Sequence, residues 1–438
     1  MKNREVELLA IGGGPANLAL AVAIEELGSA DLADRSLVVE RSQTIQWQQG
    51  LLMPWAKSQV SFLKDVVTLR DPRSRFSFLN YLHSAGRLDD FVNLGSSTPH
   101  RIEISGYLRW VAGSLSKVRL ELGRTCTSIE PRRDERGALT GWVTGFADGT
   151  TVTSRYLVIG AGRDPYLPPV FAGLPPDRVI HSTQYRSRVE AIPAQPPKRV
   201  VVVGSAESAA EMFQALPEDL PGCDLVWVMR SIGLKKYDTN KFVNELFYPS
   251  FVDHFFAARP EGRAQILREM HRTNYSGVAA GLLDNLYSDL YLDRLTSHNR
   301  RRVVTMAEIT AARQDGEETV LELTDRKSGT VRELRCDLVC LGTGFVREMP
   351  TLIRRLAGSL GLDRVLVNRQ YRLIVDGPAT AACYLQGVNE ATHGIADSLL
   401  SVLAPRAADI TRDILSHRRQ AIDGHHTAAG RLEPEIRR

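Results

Sequence analysis

Residues 8–24 read LLAIGGGPANLALAVAI, seventeen positions without a charge, and the reading of that run decides the fold. An export segment or a membrane-spanning helix is built from helix formers, whereas Gly12, Gly13, Gly14 and Pro15 interrupt this run near its start. Before them, Val6–Ile11 is a short apolar run suited to a buried strand. After them, Asn17–Leu27 has helical periodicity and stops at Gly28. Strand, glycine turn and helix in that order open a βαβ unit. Leu37–Val39 supplies a second strand, and Glu40 stands at its end, where a dinucleotide fold places an acid that accepts hydrogen bonds from a ribose. The run is short for a bilayer span and lacks a small-residue cleavage site, so a cytoplasmic core is expected. Two features depart from the usual fingerprint. Asn17 stands where the third glycine falls, and the gap from Gly12 to Glu40 exceeds the usual ~20 residues. A glycine-rich turn of some other α/β protein is the competing reading.

The rest of the chain sets bounds. With 438 residues it is too long for one ordinary core, and a composition 43% hydrophobic and 24% charged is globular. A net charge of +4 is too mild to argue for nucleic acid, and the densest basic run, Arg300–Arg302, reads as a solvated loop. Cys126, Cys223, Cys336, Cys340 and Cys383 are scattered and odd in number, which suits a reduced intracellular protein and points to no metal site. The polar end from about Ala421 reads as a mobile tail.

Near residue 200 the opening pattern returns. Val200–Val203 leads into Gly204-Ser205-Ala206-Glu207-Ser208 and a helix-like stretch to Leu216, with Ala206 in place of the middle glycine. The next strand, Asp224–Met229, ends at Arg230. A cation there suits a 2′-phosphate, which an acid would repel. The contrast with Glu40 assigns FAD to the first site and NADPH to the second. Two further strand-to-glycine junctions, Tyr156–Gly162 and Leu338–Gly344, mark where the chain passes between domains, glycine allowing the backbone to approach a cofactor or cross between layers. The expected class is therefore α/β with two Rossmann-like dinucleotide-binding domains, the NADPH domain inserted in the FAD domain. Residues 1–190 form the first part of the FAD domain and 341–420 its second part. Residues 191–340 form the NADPH domain, with a helical, substrate-binding insertion at about 235–300, and 421–438 form the tail. Two such sites imply hydride transfer from nicotinamide to flavin. A disulfide reductase needs a cysteine pair soon after the first βαβ unit, and no cysteine precedes Cys126.

Longer motifs narrow the chemistry. The run from Gln59 to Leu82, QVSFLKDVVTLRDPRSRFSFLNYL, the segments Lys241–Phe247 and Thr273–Ser276, and Gly387–Leu403 together resemble the microbial N-hydroxylating flavin monooxygenases, the L-ornithine N5- and L-lysine N6-monooxygenases of siderophore biosynthesis. The resemblance spans nearly the whole chain. It implies that Gln59 lies beside the flavin ring, that Lys64 binds the substrate α-carboxylate, and that Asn244, Asn274 and Ser401 complete the substrate pocket, with Gln59 and Asn274 at the reacting centre. A cation following the apolar stretch Val60–Leu63 can be partly desolvated and so attract a carboxylate strongly; a surface Lys64–Asp65 pair is the bland alternative. Neutral amides suit an amine nucleophile, orienting it without holding it as a cation, although either asparagine alone reads as a cap or turn residue. The FAD-contacting set is Gly12, Gly14, Pro15, Ala16, Glu40, Arg41, Trp47 and Gln59, with Asp397 and Leu399 from the last segment. The NADPH set is Gly204, Ser205, Ser208, Arg230 and Gly344. Gln48, where the family has histidine, and Lys235-Lys236-Tyr237 depart from the family pattern.

The activity so implied is N-hydroxylation of L-ornithine with NADPH and O2 through a C4a-hydroperoxyflavin. L-lysine hydroxylation, another class B flavin monooxygenase and a flavin-binding redox sensor are the alternatives. The partner expected is a small amino acid, with no nucleic acid or membrane, and the resemblance implies a homo-oligomer, a tetramer.

Overall fold

The computed structural model describes residues 3–192, 197–275 and 277–429. The uncharged run divides as its residues dictate. Strand β1 (Asn3–Ile11) ends at the glycine turn and helix α1 (Pro15–Leu27) follows. Pro15 occupies the first turn, where a missing N–H costs nothing, and Gly28 stands just past the end. Asn17 to Ile24 are all buried, as befits a helix apolar all round, and each fully buried leucine or isoleucine contributes about 1.5–3 kcal/mol. Among the described residues no helix is long and apolar enough to cross a membrane.

Strands β2 (Ser36–Val39) and β3 (Arg119–Glu121) extend one side of β1 in parallel, while β4 (Cys126–Arg133) and β5 (Leu139–Phe146) form an antiparallel pair. Strand β6 (Thr151–Ile159) lies parallel to β1 on its other side, giving the order β3-β2-β1-β6-β5-β4. A second sheet then begins with β7 (Val179–His181), β8 (Arg199–Val203), β9 (Asp224–Val228) and β10 (Arg301–Val304). Helices Lys241–Glu245, Pro249–Ala257, Pro260–Asn274 and Ala280–Leu295 intervene between β9 and β10, where the helical insertion was expected. Strands β11 (Ala307–Asp315), β12 (Glu318–Asp325) and β13 (Val331–Cys336) make a small antiparallel sheet. Strand β14 (Leu338–Leu341) returns between β8 and β7, so the second sheet is wholly parallel, in the order β10-β9-β8-β14-β7. Finally β15 (Ala382–Leu385) returns to the first sheet. It pairs with the C-terminal half of β6, because β5 occupies only the N-terminal half.

The two parallel sheets repeat one backbone device. Gly12 has φ +101°, and a Cβ on it would lie 2.6 Å from the carbonyl oxygen of Gly160. Gly204 has φ +134°, and a Cβ on it would lie 2.4 Å from the carbonyl oxygen of Gly342. Each opening glycine is thus crossed by the chain leaving a neighbouring strand, β6 in one sheet and β14 in the other. These are the two strand-to-glycine junctions of the sequence. Ala206 is tolerated as the middle residue of the second turn because its φ is −117°, open to any side chain.

One expectation needs correction. Arg301 and Arg302 belong to edge strand β10, not to a loop; Arg301 pairs with Asp289 at 2.9 Å, and an edge strand lets such side chains point outward. The expected tail from 421 is helical in its backbone as far as Ala429, as part of the helix Leu403–Ala429; residues 430–438 and the side chains from 421 lie outside the described residues.

The halves meet through buried contacts. Gly50 packs on the backbone of Ser182 and Thr183, closer than any Cβ would permit. Arg101, at the start of the helix Arg101–Ser114, makes a two-pronged ion pair with Glu211 of the helix Glu207–Asp219, at 2.6 Å on both prongs, with both side chains almost fully buried. Burial pushes the Glu211 carboxyl up, and Arg101 pulls it back down. Replacing Arg101 with methionine removes that pull, so the folded pKa of Glu211 climbs further above its unfolded value. A raised carboxyl holds its proton more tightly folded than unfolded, so stability is lost as pH rises from the ordinary carboxylate range through the folded pKa. Arg101→Met is expected to destabilise by about 3–5 kcal/mol near pH ~8 and by less near pH ~5.5. Thermal melting at the two pH values tests this; a deficit independent of pH would mean that the pair acts by packing alone.

Candidate active site

The C-terminal ends of β1 and β8 open onto one cleft of about 1990 Å³, lined by both glycine turns, by segment 59–64, by the helical insertion and by residues 386–406. This is where open parallel sheets place their ligands. Helices α1 and Glu207–Asp219 both begin at it, and neither has a side-chain cap: Gly14 and Ala206 stand at their N-termini. Their first-turn N–H groups are therefore available to an anion. At Gly14 the space a Cβ would enter is open.

At the first turn, Glu40 accepts hydrogen bonds from the Gly13 N–H at 2.6 Å and the Ser42 N–H at 2.8 Å, one on each oxygen. It braces the turn while facing the cleft, and a carboxylate has lone pairs left for a hydroxyl. Gly12, Gly14, Pro15, Ala16, Arg41, Trp47 and Gln59 line the same wall. Trp47 is fixed by its N–H donating to the Ser105 hydroxyl at 3.1 Å. Gln48 is exposed in a left-handed conformation with φ +53° and lines the cleft beside it.

Asn17 does more than fill a glycine position. Its amide donates to the carbonyls of Ile11 (2.9 Å) and Gly12 (2.8 Å) and accepts from Gln386 at 2.8 Å. Gln386 in turn accepts from Arg406, which pairs with Asp397 at 2.9 Å; Asp397 also accepts from the Asn389 N–H at 2.7 Å. Asn17, Gln386, Arg406 and Asp397 are all buried, and their chain ties the first turn to the last segment of the cleft. Both carboxylate oxygens of Asp397 are engaged inside the protein, as are its N–H, which donates to the Gly394 carbonyl at 3.1 Å, and its carbonyl, which accepts from Arg406 at 2.5 Å, so Asp397 holds this wall of the cleft in place. Leu399, two residues on, is half-buried at the cleft.

At the second turn, Gly204, Ser205 and Ser208 line the cleft. Gly344 lies beside them, its carbonyl held by the His181 ring at 3.0 Å and by the Tyr166 N–H at 3.0 Å. Arg230 is largely exposed and loosely paired with Glu308, at 3.8 Å. An exposed pair of this kind is weak, which leaves the guanidinium available. Glu207 joins the two sites: its carboxylate accepts from the Gln59 side chain and from the Ala279 N–H at 2.7 Å, and burial raises its pKa.

Lys64 is half-buried at the end of the single turn Phe62–Lys64, and burial lowers its pKa. The surface pair with Asp65 does not form. Asp65 is buried and accepts from the N–H groups of Val67, Thr68 and Phe78 and from the Thr68 hydroxyl. No acid pairs with Lys64 among the described residues. Asn244 lines the same cleft, one amide hydrogen donated to the Thr239 carbonyl at 3.1 Å. Ser401 is 1% exposed, lines the cleft, and its hydroxyl has no hydrogen-bond partner among the described residues. Asn274 ends the helix Pro260–Asn274; its side chain lies outside the described residues, while its neighbours Thr273 and Tyr275 line the cleft. Sequence reading missed Glu207, Tyr248 and the Asn17–Gln386–Arg406 chain. Only Glu207 left a signal, as an acid inside the second glycine turn.

The chain is similar to several known proteins. A family model described as L-lysine 6-monooxygenase/L-ornithine 5-monooxygenase matches residues 4–347. An L-ornithine N(5)-oxygenase of Arthrobotrys oligospora is 37% identical over 439 residues, covering 96% of this chain and 90% of that protein. The solved ornithine hydroxylase of Pseudomonas aeruginosa is 35% identical, with a TM-score of 0.87 over 94% of this chain and 99% of its own. The ornithine N-hydroxylase of Kutzneria sp. 744, solved with reduced FAD, NADP+ and L-ornithine, is 31% identical, with a TM-score of 0.86 over 94% and 100%.

Proposed function

We propose, since the chain belongs to the L-lysine 6-monooxygenase/L-ornithine 5-monooxygenase family, that it is an FAD- and NADPH-dependent monooxygenase converting L-ornithine to N5-hydroxyornithine for a siderophore or related peptide. The carrying observation is Lys64: a half-buried cation without an acid partner among the described residues, sharing one cleft with Asn244 and the unpartnered hydroxyl of Ser401. When bound, the cofactors supply two electrons from NADPH and activate O2, one oxygen atom entering the amine N–H as N–OH and the other leaving as water.

The chain's own groups divide the remaining work. Lys64 takes the α-carboxylate. Asn244 and Asn274 meet the amine with neutral amides, and Ser401 offers its hydroxyl to the same substrate. A side-chain amine of this kind ordinarily titrates at about 10.4, so at neutral pH its reactive form is scarce, and neutral amides do not stabilise its ammonium as a carboxylate partner would. Gly12, Gly14, Pro15, Ala16, Glu40, Arg41, Trp47 and Gln59, with the cleft wall at Asp397 and Leu399, receive FAD; Gly204, Ser205, Ser208, Arg230 and Gly344 receive NADPH. Residues 1–190 with 341–420 form the FAD domain, and 191–340 the NADPH domain with its substrate-binding insertion, the strand Val179–His181 crossing ahead to join the sheet of the latter. The five free thiols suit the cytoplasm. Tyr287, Tyr291 and Leu295, exposed along one face of the helix Ala280–Leu295, suit association into a homo-oligomer, a tetramer on this reading.

Purified enzyme supplied with NADPH and O2 is expected to form hydroxylamine from L-ornithine and less from L-lysine, one extra methylene being worth about 1–3 kcal/mol. Hydroxylamine from neither amino acid would end this reading. Lys64→Ala is expected to raise KM for ornithine roughly 10- to 100-fold while FAD stays bound, the loss of a charge-assisted contact; an unchanged KM would remove the carboxylate role. Arg230→Ala should lose about tenfold in preference for NADPH over NADH. Steady-state kinetics with both coenzymes measures it, and unaltered selectivity would take the 2′-phosphate role from Arg230.

A further inference from the structure

Lys64 is a long, flexible cation at the cleft, and among the described residues its ammonium lies over one aromatic ring. Its Nζ lies 4.7 Å from the centroid of the Tyr248 ring. The geometry points to Tyr248 as the positioning residue for substrate recognition, its ring face holding the Lys64 ammonium where an amino acid's α-carboxylate docks. This deepens the function proposed above and rests on it.

Three features support the assignment. First, an aromatic face attracts a cation without neutralising it. Had a glutamate held Lys64, the positive charge would be answered already. With a ring it remains whole, and N–H groups not facing the ring stay free for a carboxylate. The neighbouring acid, Asp65, is kept from competing by its four hydrogen bonds to residues 67, 68 and 78. Second, Tyr248 is not a core residue: it is 40% exposed and lines the cleft, while the adjacent Phe247 is 7% exposed and anchors the segment among Val252, Met270 and Val402. Third, Tyr248 is rigidly tied to Asn244. The Phe247 N–H donates to the Asn244 carbonyl at 3.1 Å and the Tyr248 N–H to the Glu245 carbonyl at 3.2 Å, so one short turn fixes both side chains. That turn belongs to the helical insertion, whereas Lys64 comes from the first part of the chain. The cation–ring contact therefore joins two segments distant in sequence where both line the cleft.

The test compares Tyr248→Leu, which keeps bulk and loses the π face, with Tyr248→Phe, which keeps the face. Ornithine binding is measured by calorimetry on the FAD-loaded enzyme, together with KM and kcat. Putrescine, which has ornithine's chain and amines but no carboxylate, serves as a competitive inhibitor. Tyr248→Leu is expected to weaken ornithine binding and raise KM by roughly 2- to 30-fold with little change in kcat, and to leave the putrescine inhibition constant within about twofold. Tyr248→Phe should restore ornithine binding to near the wild-type value. Equal weakening of ornithine and putrescine, or failure of phenylalanine to restore binding, would show that the ring acts by shape or through its hydroxyl and would overturn the assignment. So would unchanged ornithine binding in Tyr248→Leu. Wild-type enzyme that neither binds nor hydroxylates ornithine would instead remove the functional reading itself, and this inference with it.

Discussion

The site depends on two places where backbone passes over backbone with no room for a side chain. At Gly12 the obstruction is the carbonyl of Gly160; at Gly204 it is the carbonyl of Gly342. In each case the Cβ of any other residue would sit within 2.6 Å of that oxygen, and a positive φ excludes most side chains independently. The consequence is geometric. Each crossing draws the chain leaving a neighbouring strand across the mouth of the glycine turn, so two βαβ openings far apart in sequence present their helix N-termini to one cleft. Substituting either glycine would move the strand ends themselves.

Burying charge at the joints fixes how the pieces sit. Arg101–Glu211 links the first helical layer to the second dinucleotide unit, and Arg406–Asp397 links the last helix to the wall of the cleft. A buried ion pair gains little net stability over well-packed apolar groups, yet losing one partner is severe because the other charge is stranded. Such pairs therefore select one arrangement more than they strengthen it. The Asn17–Gln386–Arg406–Asp397 chain works in the same way: each member satisfies the next, and none can turn away without orphaning a neighbour.

This explains which parts of the molecule were legible in the sequence. The two strand–glycine–helix openings, the second pair of glycine junctions and the helical insertion follow from local rules: apolar runs, positive φ at glycine, and a 3.6-residue period. The resemblance carried by residues 59–82, 241–247 and 387–403 supplied Lys64, Asn244 and Ser401, which one cleft brings together. The partners of these residues were not legible. Nothing in the spacing of Asn17 and Gln386, 369 positions apart, announces a hydrogen bond, and Tyr248 before Pro249 reads simply as the start of a helix. Arg301 and Arg302 misled for the same reason: a basic run on an edge strand and one in a loop have the same composition, and only strand pairing separates them.

The electrostatics of the cleft suit the chemistry proposed for it. A diamine acid offers three charges at neutral pH, and a pocket that gripped the reacting amine with a carboxylate would hold it protonated and unreactive. Here the half-buried, unneutralised charge at the substrate end is a cation, Lys64, and the nearest acid in sequence, Asp65, is turned inward and covered with hydrogen bonds. With the α-carboxylate docked at Lys64 as proposed, attraction is concentrated on the end of the molecule that does not react. On the proposed reading the amine end meets an amide, which accepts or donates a hydrogen bond with no preference of charge sign comparable to a carboxylate's. In the proposed reaction, binding energy placed on the carboxylate would leave the amine free to lose its proton, and Lys64, the Tyr248 ring and Asn244, which line one cleft, suit that separation of anchor from nucleophile.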